Sequence, residues 1–244
     1  MELDNKSNQE EILNQYLNSL EKINNYSSNT IKSYKNDITQ YLNEENNLGE
    51  FSNFLKNCTL KNYSKSTINR KITSVRSFLI WSAENNYFER NLIKSVASLK
   101  TDKKLPNVLT ANYINELLDS LPVGNNKEIR DKAILELMYS SGLRVSEVSN
   151  LKIQDIRSNK SIKVLGKGSK ERILPITERA FECINNYIMV SREIFTNEKS
   201  GQFLFLGIRG GKLSDREIRR IVKLRVGTFP HSLRHTFATH LLDG

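Results

Sequence analysis

The sequence predicts a mainly α protein with a small β-hairpin, an α+β fold in two domains. Three observations carry that prediction. Up to residue 97, apolar residues recur at three- and four-residue steps almost throughout, the pattern of amphipathic helices. A charged stretch, Ser98-Leu99-Lys100-Thr101-Asp102-Lys103-Lys104-Leu105-Pro106, then interrupts it. Beyond that stretch, helical stripes flank one segment that alternates with a period of two. We therefore expect a helical domain over 7–97, a linker over 98–107 and a mixed domain over 108–244. With 244 residues, 38% of them hydrophobic and 26% charged, the chain has apolar surface enough for two modest cores.

Each element has a local reason. Glu10 to Leu20 sets Ile12, Leu13, Tyr16, Leu17 and Leu20 on one helical stripe. Ser28-Asn29-Thr30 offers caps for a second helix carrying Ile31, Tyr34, Ile38, Tyr41 and Leu42. A third helix is expected around Phe51 to Leu55. A fourth starts near Ser64 or Ser66 and runs through Ile68, Ile72, Val75, Phe78, Leu79 and Trp81. Its other face carries Lys65, Arg70, Lys71 and Arg76, which read either as a solvated face or as phosphate contacts. Past the linker, helices are expected at about 110–120 and 127–140. A hairpin follows, with strands at 161–165 and 171–176 and a turn at 166–170. Helices at 178–193, 214–225 and 231–242 complete the chain, with a short strand expected at Phe203-Leu204-Phe205-Leu206.

Charge narrows the function classes. A net charge of +10 favours a polyanionic partner. Met1-Glu2-Leu3-Asp4 does not resemble a signal peptide, and no apolar run is long enough to span a bilayer, so a cytoplasmic protein without membrane contact is expected. Cys58 and Cys183 lie far apart and read as reduced thiols rather than a disulfide or metal framework.

Three boxes carry chemistry. In Ser141-Gly142-Leu143-Arg144-Val145-Ser146-Glu147-Val148, a glycine ends one helix and the next begins. Glu147 lies three residues after Arg144, so it either pairs with a surface arginine or orients that guanidinium toward a ligand. Lys167 sits between Gly166 and Gly168 at the hairpin tip, either a flexible turn or a side chain able to enter a groove. In His231-Ser232-Leu233-Arg234, an imidazole and a guanidinium fall one helical turn apart, an arrangement suited to phosphate. Between the second and third boxes, 209–225 holds seven Lys or Arg against Asp215 and Glu217, a solvated helix or a track along a phosphate backbone. The remaining histidines, His235 and His240, raise a metal-site alternative with His231. However, His240 faces elsewhere on a helix and Arg234 repels a cation, so no metal is expected.

In this order, Gly-Leu-Arg-x-Ser-Glu, Gly-Lys-Gly-x-Lys-Glu-Arg and His-Ser-Leu-Arg-His-Thr-Phe-Ala-Thr, the boxes resemble the tyrosine recombinase (phage integrase) family, and its short Xer-type members most. The resemblance covers nearly the whole chain. It implies a helical core-binding domain and a catalytic domain that together form a C-shaped clamp on duplex DNA. It further implies recombination through a 3′-phosphotyrosine, in chromosome dimer resolution or as the integrase of a mobile element. Arg144 and Arg234 would stabilise the non-bridging oxygens, Lys167 would protonate the leaving 5′ oxygen, His231 would assist proton transfer, and Glu147 would play a supporting part beside Arg144. Lys65, Arg70, Lys71, Arg76, Lys170, Arg172, Arg219 and Arg220 would contact DNA. No cofactor is implied, and a homo- or hetero-tetramer on DNA is.

In one respect the sequence departs from the family. The family places its nucleophilic tyrosine after the His-x-x-Arg box, whereas the last tyrosine here is Tyr187. We therefore expect a catalytic domain incomplete at its C-terminal side, and a chain that binds DNA without cleaving it. A non-catalytic DNA-binding relic is the alternative.

Overall fold

The structure, a computed structural model, describes residues 2–22, 26–44, 51–87, 99–100, 108–166 and 170–243. It divides into two compact units, Met1–Lys103 and Lys104–Gly244. Unit 1 contains α1 (Glu2–Lys22), α2 (Ser28–Glu44), α3 (Phe51–Leu60) and α4 (Lys65–Glu84). The expected stripes converge: Ile12, Tyr16 and Leu20 from α1 meet Ile38 and Tyr41 from α2, Phe54 and Cys58 from α3, and Ile72, Val75 and Phe78 from α4. Three of these helices differ in extent from the sequence reading. The first and third are longer than the Glu10–Leu20 and Phe51–Leu55 stripes, because polar residues extend a helix without marking its face. The second is capped by Ser27, whose Oγ accepts the Thr30 N–H at 3.2 Å, so Ser28 already lies inside it. The fourth is capped by Ser64, whose Oγ accepts the Thr67 N–H. Of the expected linker, only Leu99 and Lys100 are described. Leu99 exchanges two backbone hydrogen bonds with the Asn69 side chain, at 2.7 and 2.8 Å.

One expected surface cation is in the core. Lys71 is buried, its Nζ 2.9 Å from Asp37 Oδ1 and 2.6 Å from Gln40 Oε1. Asp37 is itself buried and also accepts from Arg70 and from Ser74 Oγ. A buried carboxylate needs compensating charge and donors, and Lys71 supplies both. The reading of Lys71 as a DNA contact is therefore corrected: it faces α2. Lys65 and Arg70 are exposed and Arg76 is half-buried.

Unit 2 is built around α6 (Asn126–Ser141), flanked by α5 (Ala111–Asp119), α7 (Val145–Asn150), α8 (Glu178–Asn186), α9 (Asp215–Val226) and α10 (Pro230–Asp243). Helix α6 buries Ala133, Ile134, Leu135, Leu137 and Met138 together with Arg130, Asp131 and Glu136, so a central helix carries its charges inside the unit, paired with other groups. The hairpin forms as expected, with β2 (Ser161–Leu165) antiparallel to β3 (Glu171–Pro175) and Val164 opposite Arg172. A two-residue strand β1 (Ile156–Arg157), too short to leave a periodic trace, adds a third strand in the order β1-β2-β3.

Two expectations fail in unit 2. Residues 178–193 are not one α-helix: α8 ends at Asn186 and the chain continues as a π-turn over Tyr187–Ser191 and a 3₁₀ turn over Glu193–Phe195. Phe203 to Leu206 is not a strand; it forms only isolated bridges, Lys152 to Phe203 and Leu206 to Lys212. Leu204, Phe205 and Leu206 are buried and Phe203 is half-buried, but arginine side chains take up carbonyls of the segment. Arg192 donates to Phe203 and Leu204, and Arg130 to Leu206. With carbonyls satisfied in this way, no ladder partner is needed.

Gly142 closes α6 in the left-handed conformation, with φ of 58°. A Cβ there would lie 2.3 Å from a ring carbon of Phe237 on α10. Gly142→Ala is expected to cost roughly 2–4 kcal/mol, from left-handed strain plus overpacking. A urea titration of both chains checks this, and an unchanged midpoint would contradict it.

Candidate active site

The Gly142 turn delivers Leu143 into the core and Arg144 to the first position before α7. Arg144 points outward, with 60% of its side chain exposed, while Glu147 one turn later keeps only 6%. The Glu147 carboxylate is where the site is assembled. Oε2 accepts the Arg144 backbone N–H at 2.8 Å, and Oε1 lies 3.2 Å from Arg144 Nη1. Arg172 Nη2, from β3, is 3.0 Å from Oε1, and Arg234 Nη1, from α10, is 4.0 Å from Oε2. Arg234 also donates to the Gly142 carbonyl. Three guanidinium groups from three separate elements thus converge on one buried carboxylate.

The electrostatics follow from this count. Burial by itself would raise the Glu147 pKa. The Arg144 N–H, the Arg172 side chain and Arg144's own guanidinium more than offset it, holding the carboxyl below the ordinary glutamate range. Burial, together with Arg144 and Arg172, depresses the Arg234 pKa against the opposing pull of Glu147. The guanidinium still stays charged at neutral pH. Three positive charges against one negative leave the cluster positive, poised for an anion.

Arg144 and Arg234 line a groove of about 380 Å³ together with His231, Arg219 and Phe229. Pro230 opens α10 and His231 follows it, exposed, one turn before Arg234, so the expected one-face pairing of imidazole and guanidinium is present. The His231 and His235 rings meet edge to face, centroids 4.4 Å apart. His240 is occupied elsewhere, its Nδ1 2.9 Å from the Tyr139 hydroxyl and its Nε2 3.0 Å from the Leu109 carbonyl. Among the described residues, no group of three His, Cys, Asp or Glu gathers in a way that could hold a metal. Among them, too, no helix is long and apolar enough to cross a membrane.

The expected site residues divide as follows. Arg144, Glu147, His231 and Arg234 are brought together. Lys167 lies outside the described residues, although the base of its turn is closed by a 2.8 Å bond from the Gly166 N–H to the Lys170 carbonyl. Lys170, Arg219 and Arg220 are exposed, Arg219 within the groove and 3.7 Å from Asp215. Arg172, expected as a DNA contact, is tied to Glu147 beside Arg144 and Arg234, with 35% of its side chain exposed. The signal for this was strand parity: Arg172 shares a face with Leu174, which packs against the core. Phe229 has no counterpart in the sequence reading.

The phage integrase family model matches residues 107–244, and its N-terminal SAM-like domain matches residues 13–86. The chain belongs to the phage integrase family. Within it, the likeness is to Xer-type tyrosine recombinases. Tyrosine recombinase XerC of Thermodesulfovibrio yellowstonii is 36% identical over 247 residues, covering 93% of this chain and 81% of the relative. Tyrosine recombinase XerD of Staphylococcus epidermidis is 31% identical, covering 95% and 85%. Among solved structures, the Tn1549 transposon integrase in complex with circular intermediate DNA superposes with a TM-score of 0.72 at 19% identity, covering 95% of this chain and 87% of that one. XerH bound to difH substrate gives 0.65 at 19%, covering 95% and 74%. At that identity the two superpositions speak for the fold.

For this family member the Glu147 cluster has a pH signature. A depressed carboxyl pKa contributes stability that is complete above the ordinary glutamate value, about 4.3, and is lost as pH falls through the lower folded value. Glu147→Gln is expected to lose about 1–3 kcal/mol at neutral pH. It should also show a shallower loss of stability than the unaltered chain as pH drops below about 4. Urea midpoints across that range decide it, and parallel acid profiles would count against the cluster.

Proposed function

We propose that this protein is a site-specific recombinase that cuts and rejoins duplex DNA through a 3′-phosphotyrosine, in the resolution of chromosome dimers. The observation that carries the reading is the convergence of Arg144 and Arg234 on Glu147 at a groove shared with His231. Attack on a phosphodiester builds negative charge on the non-bridging oxygens, and two oriented guanidinium groups receive that charge without having to reorganise. Glu147 holds both in place. His231 moves the proton of the attacking hydroxyl, and Lys167 protonates the departing 5′ oxygen. Lys65, Arg70, Arg76, Lys170 and Arg220 lie along the DNA backbone, with Arg219 nearer the scissile phosphate. Assembly is as a tetramer on DNA, and the work is done in the cytoplasm. The XerC and XerD likenesses favour chromosome resolution over mobile-element integration.

Residues 1–244 are proposed to bind DNA without cutting it. Of the tyrosines in unit 2, Tyr187 is buried with its hydroxyl accepting the Leu206 N–H, Tyr139 is paired with His240, and Tyr113 lies on α5. None of them lines the groove.

The test is a nicked half-site suicide substrate, read as a covalent protein–DNA band on a denaturing gel. It is run with residues 1–244 and with the reading frame continued. A band from the continued chain alone is expected. Salt-sensitive binding with no band from either would leave a DNA-binding relic. In the cleaving chain, Arg144→Ala and Arg234→Ala should each cost about 3–4 kcal/mol of transition-state stabilisation, a rate loss of about 10²–10³, while most DNA binding survives. Normal cleavage by either variant would overturn the assignment.

A further inference from the structure

The groove is not polar throughout. Leu143, Val145, Phe229 and Pro230 form an apolar wall beside the arginines. Leu143 and Val145 are buried in the unit 2 core, but Phe229 leaves 65% of its surface exposed. Its position is well defined. The Phe229 carbonyl accepts the N–H groups of Ser232 at 3.0 Å and Leu233 at 3.2 Å, the first bonds of α10. Lys223 Nζ stands 4.9 Å from the ring centroid, a cation–π contact. A large aromatic held in water at the mouth of a cationic groove contributes little to the fold, because burial is what makes such a ring stabilising.

Ligand chemistry resolves the combination. A bare phosphate needs only the guanidinium groups. A phosphodiester carries a deoxyribose on each side, and the C–H face of that sugar is apolar. We propose that Phe229 is a substrate-positioning contact: its ring packs on the deoxyribose next to the phosphate gripped by Arg144 and Arg234. The groove thereby selects a sugar-flanked phosphodiester over a bare polyanion. The inference rests on the DNA reading of the groove and adds to it an uncharged contact.

Salt separates an uncharged contact from a charged one. Phosphate contacts release counterions, so losing one flattens the dependence of log K on log salt, whereas losing a sugar contact lowers affinity equally at every salt. For residues 1–244 on duplex DNA, Phe229→Ala is expected to weaken binding about tenfold with the slope unchanged. Arg219→Ala should instead flatten the slope. A second variant guards against a folding defect. The sequence has one tryptophan, so Phe229→Trp in a Trp81→Phe background carries a single reporter at the groove. Its emission should move to shorter wavelength with duplex DNA and stay in place with long-chain inorganic polyphosphate, which has the charge but no sugar. Unchanged affinity for Phe229→Ala, a flattened slope, or equal emission shifts with DNA and polyphosphate would each overturn the proposal. If the unaltered chain bound duplex DNA without salt dependence, the DNA reading of the groove would itself fall, and this inference with it.

Discussion

A carboxylate removed from water has to be met by positive charge, and in unit 2 that requirement organises the site. Glu147 is nearly inaccessible, and its oxygens draw together the start of α7, strand β3 and helix α10 through Arg144, Arg172 and Arg234. None of these elements adjoins another in sequence. Without the shared anion, three guanidinium groups this close would repel one another. With it, they sit together while keeping a positive excess, which is the condition for holding a phosphate and for stabilising the extra charge of its transition state. Gly142 belongs to the same constraint: its left-handed turn aims Arg144 outward, and its carbonyl receives Arg234.

Unit 1 uses the same physics for a different end. Asp37 is as deeply buried as Glu147, and its partners Lys71 and Ser74 are buried with it. The charge of Lys71 is consumed within the fold, whereas Arg70, which pairs with the same carboxylate, stays exposed. Lys71 and Arg144 therefore look alike in a charge count yet differ in kind. What distinguishes them is whether the cation itself reaches solvent: Lys71 keeps 7% of its side chain exposed and Arg144 60%. The same distinction accounts for Arg130, which is buried with Asp131 and donates to the Leu206 carbonyl, a structural arginine like Arg192.

The histidines show how one helix divides its work. His231 stands at the exposed start of α10, where it lines the groove with Arg234. Nine residues on, His240 clasps Tyr139 and the Leu109 carbonyl, fastening the far end of the helix to α6 and to the segment before α5. The end that lines the groove is held in register by the end that does not. Between them, the first-turn bonds to the Phe229 carbonyl fix where the helix starts, and so place both the imidazole and the aromatic wall next to it.

The sequence by itself determined most of the helices, the β2–β3 hairpin and the local pairings of Arg144 with Glu147 and of His231 with Arg234, while the grouping of the two pairs came from the family resemblance. The elements and the pairings are properties of short range: stripes at helical spacing, alternation around a glycine-rich turn, and residues one helical turn apart. The second helix was legible up to its end, where the cap is Ser27. Only the tertiary structure decided which face of α4 takes Lys71, that Arg172 joins Glu147 rather than standing free on the hairpin, and that Phe203 to Leu206 is covered by arginine side chains instead of a strand. Each of those outcomes depends on a partner far away in the chain, Asp37 for Lys71, Glu147 for Arg172, Arg130 for the Leu206 carbonyl. Charge and hydrogen bonding act through space, and a local pattern cannot report which distant group will arrive to complete the pair.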